Sequence, residues 1–146
     1  MPIAGVLETC LYAADLAEAE RFYSSVLGLE LFSREPERHI FFRCGTAMFL
    51  VFNPARTSTA PGVVGDSAIP AHGANGAGHV AFSVFEGELP AWRARLEEAG
   101  VAIESEITWP RGGRSLYVRD PAGNSVELAS PALWRIPDGQ SHGAYG

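Results

Sequence analysis

The order strand, helix, three strands occurs twice in this chain of 146 residues, and that repetition restricts its possible folds more than any single motif does. Setting Glu8 on His79 brings Gly28 within one residue of Gly100, and each glycine closes an amphipathic helical stretch. A repeated βαβββ unit predicts an α+β fold, with the strands of each unit forming a curved, mostly antiparallel sheet. The first unit runs over about 6–52, a linker or lid over 53–77, the second unit over about 78–130 and a tail over 131–146. The whole is expected to form a single domain.

In the first unit, Leu7 to Ala13 alternates like a strand, with Leu7, Thr9 and Leu11 on one face and Glu8, Cys10 and Tyr12 on the other. Asp15 and Glu18 have capping-box spacing, and Leu16, Ala19, Phe22, Tyr23, Val26 and Leu27 recur at helical intervals up to Gly28. Strands are expected at 29–34, 38–44 and 47–52. From Asn53 to Gly78 the residues turn to Ala, Gly, Pro, Ser and Thr without a period, which reads as a loop serving as linker and cover. His72 within it reads as a mobile surface histidine or as a lid residue.

The second unit opens with Val80, Phe82 and Val84 facing the core and His79, Ala81 and Ser83 opposite. A helix entered at Pro90 carries Leu89, Trp92, Leu96 and Ala99 on its buried stripe. Strands at 101–108, 115–120 and 124–130 complete the unit. In the closing hairpin, Ser115, Tyr117 and Arg119 share a face, and Ser125, Glu127 and Ala129 share one on the return strand. Asp120-Pro121-Ala122-Gly123 suits a type I turn. The tail carries Trp134 and Arg135, with His142 in a Gly-rich end expected to fray.

Glu127 lies between two core-facing aliphatics, so it needs a cation, an arginine or water. Taken alone it also reads as a solvated strand acid. Together with Glu8 and His79 at the starts of the two units, it makes a candidate divalent-metal set, since imidazole with carboxylates suits Mn, Fe, Zn, Ni or Co. Tyr117 is placed to hydrogen-bond an oxyanion. Arg119 and Arg114 are candidate forks for an anionic substrate, and Ser115 and Cys10 line the same faces. Cys10 reads equally as a small filler.

A formal net charge of −6 and the absence of any Lys/Arg run argue against a nucleic-acid surface. Two cysteines fit a reducing cytosol rather than a disulfide framework. The start, MPIAGVLETC, carries no charged segment leading into an apolar one, and no stretch is long enough to span a bilayer. A cytoplasmic protein is expected.

The openings LETCLYAADLAEAERFY and GHVAFSV, with the closing SLYVRDPAGNSVEL, resemble the vicinal oxygen chelate superfamily. That group includes glyoxalase I, methylmalonyl-CoA epimerase, fosfomycin thiol transferases, extradiol dioxygenases and bleomycin-binding proteins. The likeness runs from about Val6 to Trp134. It implies paired βαβββ modules around a central metal or ligand cavity, a homodimer with modules packing between chains, and metal ligands at Glu8, His79 and Glu127. Two departures accompany it. Glu8 stands where many members carry His, and AMFLVF offers Phe49 or Leu50 where glyoxalase I has a fourth ligand. The implied activity is Lewis-acid isomerase, lyase or thiol-transfer chemistry on a small oxygen-bearing substrate, with Tyr117 and Glu8 handling protons. An Fe(II) dioxygenase and a metal-free drug-binding protein are the alternatives; Thr108, Trp109 and Pro110 stand where the dioxygenase histidine is expected.

Overall fold

A computed structural model describes residues 1–138; the expected fraying of the Gly-rich end and His142 lie outside the described residues. The chain divides between Gly76 and Ala77 into two compact units.

In the first unit, β1 (Glu8–Tyr12), β2 (Glu30–Glu35), β3 (His39–Cys44) and β4 (Ala47–Phe52) form a sheet of order β1-β4-β3-β2. β1 and β4 pair in parallel, and the other neighbours are antiparallel. The intervening helix begins at α1 (Leu16–Glu20), where the Asp15 carboxylate accepts from the Glu18 amide at 3.0 Å. It widens into a π-helical turn over Arg21–Val26 and stops at Gly28, whose φ of 77° suits glycine. The wider turn buries the consecutive rings of Phe22 and Tyr23 together, 5.0 Å apart and edge to face. Tyr23 then packs on Phe42 and Phe49, all three sealed from solvent.

Residues 53–76 are more ordered than composition suggests. They contain α2 (Pro54–Thr57), capped by the Asn53 side chain, and a short hairpin of β5 (Val63–Val64) and β6 (Ser67–Ala68). Arg38 fastens this flap by donating to the Ala60 carbonyl at 2.8 Å.

The second unit repeats the plan. β7 (His79–Ser83), α3 (Leu89–Glu98), β8 (Ser105–Thr108), β9 (Arg114–Arg119) and β10 (Ser125–Ala129) give a sheet of order β7-β10-β9-β8, again with the first and last strands parallel. Leu116, Val118, Val126 and Leu128 form its core with Leu89 and Leu96 of the helix. The turn joining β9 to β10 is held by buried Asp120, which accepts from the amides of Ala122 and Asn124 and from the Asn124 side chain. The Asn124 side-chain oxygen Oδ1 accepts in turn from Gly78 N at 2.8 Å, so the turn is tied to the start of β7.

Three local expectations change. Leu7 and Thr9 are exposed, and of that face of β1 only Leu11 is buried, because β1 is a sheet edge covered only toward its end. The strand expected from Val101 begins at Ser105. Ala99 is exposed and Trp92 only half-buried, leaving Leu89 and Leu96 as the helix's packed positions. Among the described residues, no helix is long and apolar enough to cross a membrane.

Candidate metal centre

Alternation along β9 and β10 places Ser115, Tyr117 and Glu127 on one face, and the register bears this out: Tyr117 lies opposite Glu127, and Ser115 opposite Ala129. Glu127 is buried, with 6% of its surface exposed. One carboxylate oxygen, Oε1, accepts from the Ser115 hydroxyl at 2.5 Å, and that hydroxyl accepts from the Trp109 indole N–H at 2.8 Å. The other, Oε2, lies 3.4 Å from His79 Nε2.

His79 is oriented from its far side. Its Nδ1 is 3.1 Å from the Ser125 carbonyl, which can only accept, so Nδ1 carries the hydrogen. Nε2 is then the ring atom that faces the carboxylate, and either a proton on it or a cation between the two satisfies both. The imidazole side chain is half-exposed, the carboxylate 8% exposed, so the pair opens to solvent on the histidine side. A histidine whose other nitrogen is fixed on a backbone carbonyl, beside an anchored carboxylate, is a donor arrangement suited to a divalent ion.

Tyr117 lies against the same pair, its ring stacked on His79 at 6.4 Å. Burial first, then the hydrogen bond to Glu127 and its charge, push the phenol up to about 12, against a smaller opposing effect of Ser115. At neutral pH Tyr117 is a hydrogen-bond donor rather than a base.

Glu8 belongs to the first unit, where it is exposed at the start of β1 and lines a groove with Cys10 and Tyr12. Within neither unit, among the described residues, do three or more His, Cys, Asp or Glu gather where they could hold an ion. The sheet registers show which positions correspond between the repeats. His79 pairs with Ser125, two residues before Glu127; Glu8 pairs with Met48, two residues before Leu50. Leu50 is thus the first unit's counterpart of Glu127, and of the two equivalent positions only Glu8 offers a ligand there.

The arginines are engaged elsewhere. Arg119 holds Glu104 with two nitrogens, at 2.6 and 3.0 Å, and Arg114 holds Glu106 at 2.8 Å, which Arg93 also contacts. Cys10 is half-buried, 3.9 Å from the Tyr12 hydroxyl. His72 is half-buried and engaged: its Nδ1 is 2.8 Å from the Tyr12 hydroxyl, and its ring meets Phe52 edge to face at 4.6 Å. Sequence reasoning missed Trp109 and Asn124. Asn directly after the Asp-Pro-Ala-Gly turn was a readable signal for a side chain that closes the turn; nothing local marked Trp109 as the support of Ser115.

The Glyoxalase/Bleomycin resistance protein/Dioxygenase superfamily profile matches residues 5–128. The chain belongs to this superfamily. Among solved structures of the superfamily fold, the lactoylglutathione lyase from Agrobacterium tumefaciens is 42% identical, with a TM-score of 0.85 over 93% of this chain and 100% of that one. A glyoxalase/bleomycin resistance protein/dioxygenase from Nocardioides is 22% identical, with a TM-score of 0.66 over 100% and 92% of the two chains. The fosfomycin resistance protein FosX from Mesorhizobium loti is 19% identical, with a TM-score of 0.61 over 88% and 93%. These last two share the superfamily fold. No curated protein sequence matches.

Proposed function

We propose that this chain is a metal-dependent, glyoxalase-like enzyme, a homodimer acting on a small oxygen-bearing substrate. The observation that carries the reading is His79 Nε2 facing Glu127 Oε2 at 3.4 Å while Nδ1 is committed to Ser125. His79 and Glu127, joined by Glu8, would hold the ion. A divalent ion bound there supplies Lewis-acid polarisation of a substrate oxygen. Trp109 and Ser115 fix Oε1 of Glu127 and leave Oε2 on the His79 side. Tyr117 keeps its proton and donates a hydrogen bond to developing negative charge on the substrate. Glu8, exposed and carrying no basic partner among its described contacts, is the residue assigned to accept a substrate proton. An anionic substrate group would have to compete with Glu104 for Arg119 and with Glu106 for Arg114.

The 42% identity to a lactoylglutathione lyase favours lyase or isomerase chemistry over ring cleavage. With Leu50 in the place that corresponds to Glu127, the donor set is three side chains rather than four. A metal-free binding protein is the rival, and the groove beside Glu8 favours it.

The test is elemental analysis of protein purified without chelator or affinity tag, with its mass in solution measured on the same sample. About one divalent ion per chain is expected, in particles of twice 15.6 kDa. His79→Ala and Glu127→Ala should lose the ion, and Glu8→Ala should weaken its retention. Full stoichiometry in Glu127→Ala would sink the ligand assignment, and a metal-free wild type unaffected by added Mn, Fe, Zn, Ni or Co would favour the binding protein.

A further inference from the structure

The registers that identify Leu50 as the counterpart of Glu127 also match the rest of the two faces. Phe41 pairs with Leu50 as Tyr117 pairs with Glu127, and His39 pairs with Phe52 as Ser115 pairs with Ala129. Tyr12 corresponds to Ser83 by the same registers. Where the second unit carries Ser83, Ser115 and Ala129 on this face, the first carries the rings of Tyr12, His39 and Phe52. Phe41 stacks on His39 at 3.9 Å, Phe52 stands edge to face with both, and Tyr12 tilts against Phe52 at 6.4 Å.

These rings are only half-buried although each belongs to a sheet, because they line a cavity of about 1140 Å³ within the first unit. The flap covers it with Val63, Val64 and Ile69, and His72 is held there by Tyr12 and by its own amide on the Thr57 carbonyl at 3.0 Å. A concave groove of this size, bordered on one side by the chain's own flap, suits a small molecule rather than a flat protein surface. Ring faces and edges at mixed angles favour a planar aromatic guest over a saturated one, because edge-to-face contacts add to the burial that both guests gain. The two imidazoles supply hydrogen-bonding atoms for a ring hydroxyl.

The geometry points to a slot for a planar, hydroxyl-bearing aromatic group, walled by Phe41, Phe52, Tyr12 and His39 on the sheet and by His72 on the flap. That this group is part of the substrate rests on the proposed reading of Glu8, which lines the same groove, as a site residue; the binding itself does not.

The test titrates 2-naphthol and its saturated equivalent, decahydro-2-naphthol, into the full chain after chelator treatment, so that the result does not depend on metal. Wild type should bind naphthol about tenfold more tightly than the saturated alcohol. Phe52→Leu should erase that preference while leaving decahydronaphthol affinity unchanged, and His72→Ala, a flap change outside the sheet, should weaken naphthol binding several-fold. Equal affinities in wild type, no binding of either alcohol, or both variants behaving as wild type would overturn the slot. Failure of the metal assignment would leave these titrations as they are.

Discussion

His39 and Ser115 hold the same place in the two repeats, yet only His39 can take up a proton and become charged there. Burial lowers its pKa below the ordinary 6.5; the charge of Glu35 opposes this in part, and that of Arg38 adds to it. The fold therefore favours the neutral ring. That contribution is fully present above 6.5 and is lost as pH falls through the lowered value. His39→Phe should lose less stability than wild type between pH 7 and pH 5, read as urea midpoints at each pH; parallel losses would contradict the assignment. Residue-level chemistry was partly legible. Alternation alone put Glu127 with Ser115 and Tyr117, because strand side chains have a fixed period. It could not supply Trp109, which reaches Ser115 across a loop, or the turn of His79 onto Ser125, which depends on which strand lies beside β7. His72 misled for a similar reason: its partners Tyr12 and Phe52 lie far back in the chain.

Among the elements, the loop leading into β9 is the one most exposed to a small change. Gly113 has φ of 88°, and a Cβ there would lie 2.5 Å from the Leu133 backbone nitrogen. The same loop places Trp109, whose amide donates to the Gly113 carbonyl at 2.9 Å. Gly113→Ala should cost about 2 kcal/mol or more in denaturant unfolding, from the steric clash together with the strained backbone. Gly87→Ala, with open space around it and no positive φ, is the control and should change little. An unaffected Gly113→Ala would mean that the loop does not pack on Leu133 as described. The main strands and helices were readable because each is long enough to show its period. In the flap, α2 is one turn and β5 and β6 are two residues each, too short for any period to appear. The π-helical turn after α1 was hidden too, since Phe22 and Tyr23 fit an α-helical stripe nearly as well.

For the whole molecule, the repeat was legible because turn glycines and first strands align. What distinguishes the two units was legible in part: the resemblance left Phe49 or Leu50 where a fourth ligand would stand, and the strand registers decide for Leu50. The Asn124 to Gly78 hydrogen bond and the β7–β10 pairing each join residues 46 apart in sequence. The β9–β10 hairpin closes locally, whereas β7 reaches it only after the intervening chain has been gathered in, a slower and entropically costlier step. His79 and Glu127 thus become neighbours late on the folding path. In stopped-flow experiments, added zinc should leave the refolding rate unchanged and slow unfolding; faster refolding would mean that the pair already exists at the barrier. A site assembled this late offers a nascent or half-folded chain no means of capturing metal, so metal loading would report that the second unit is complete.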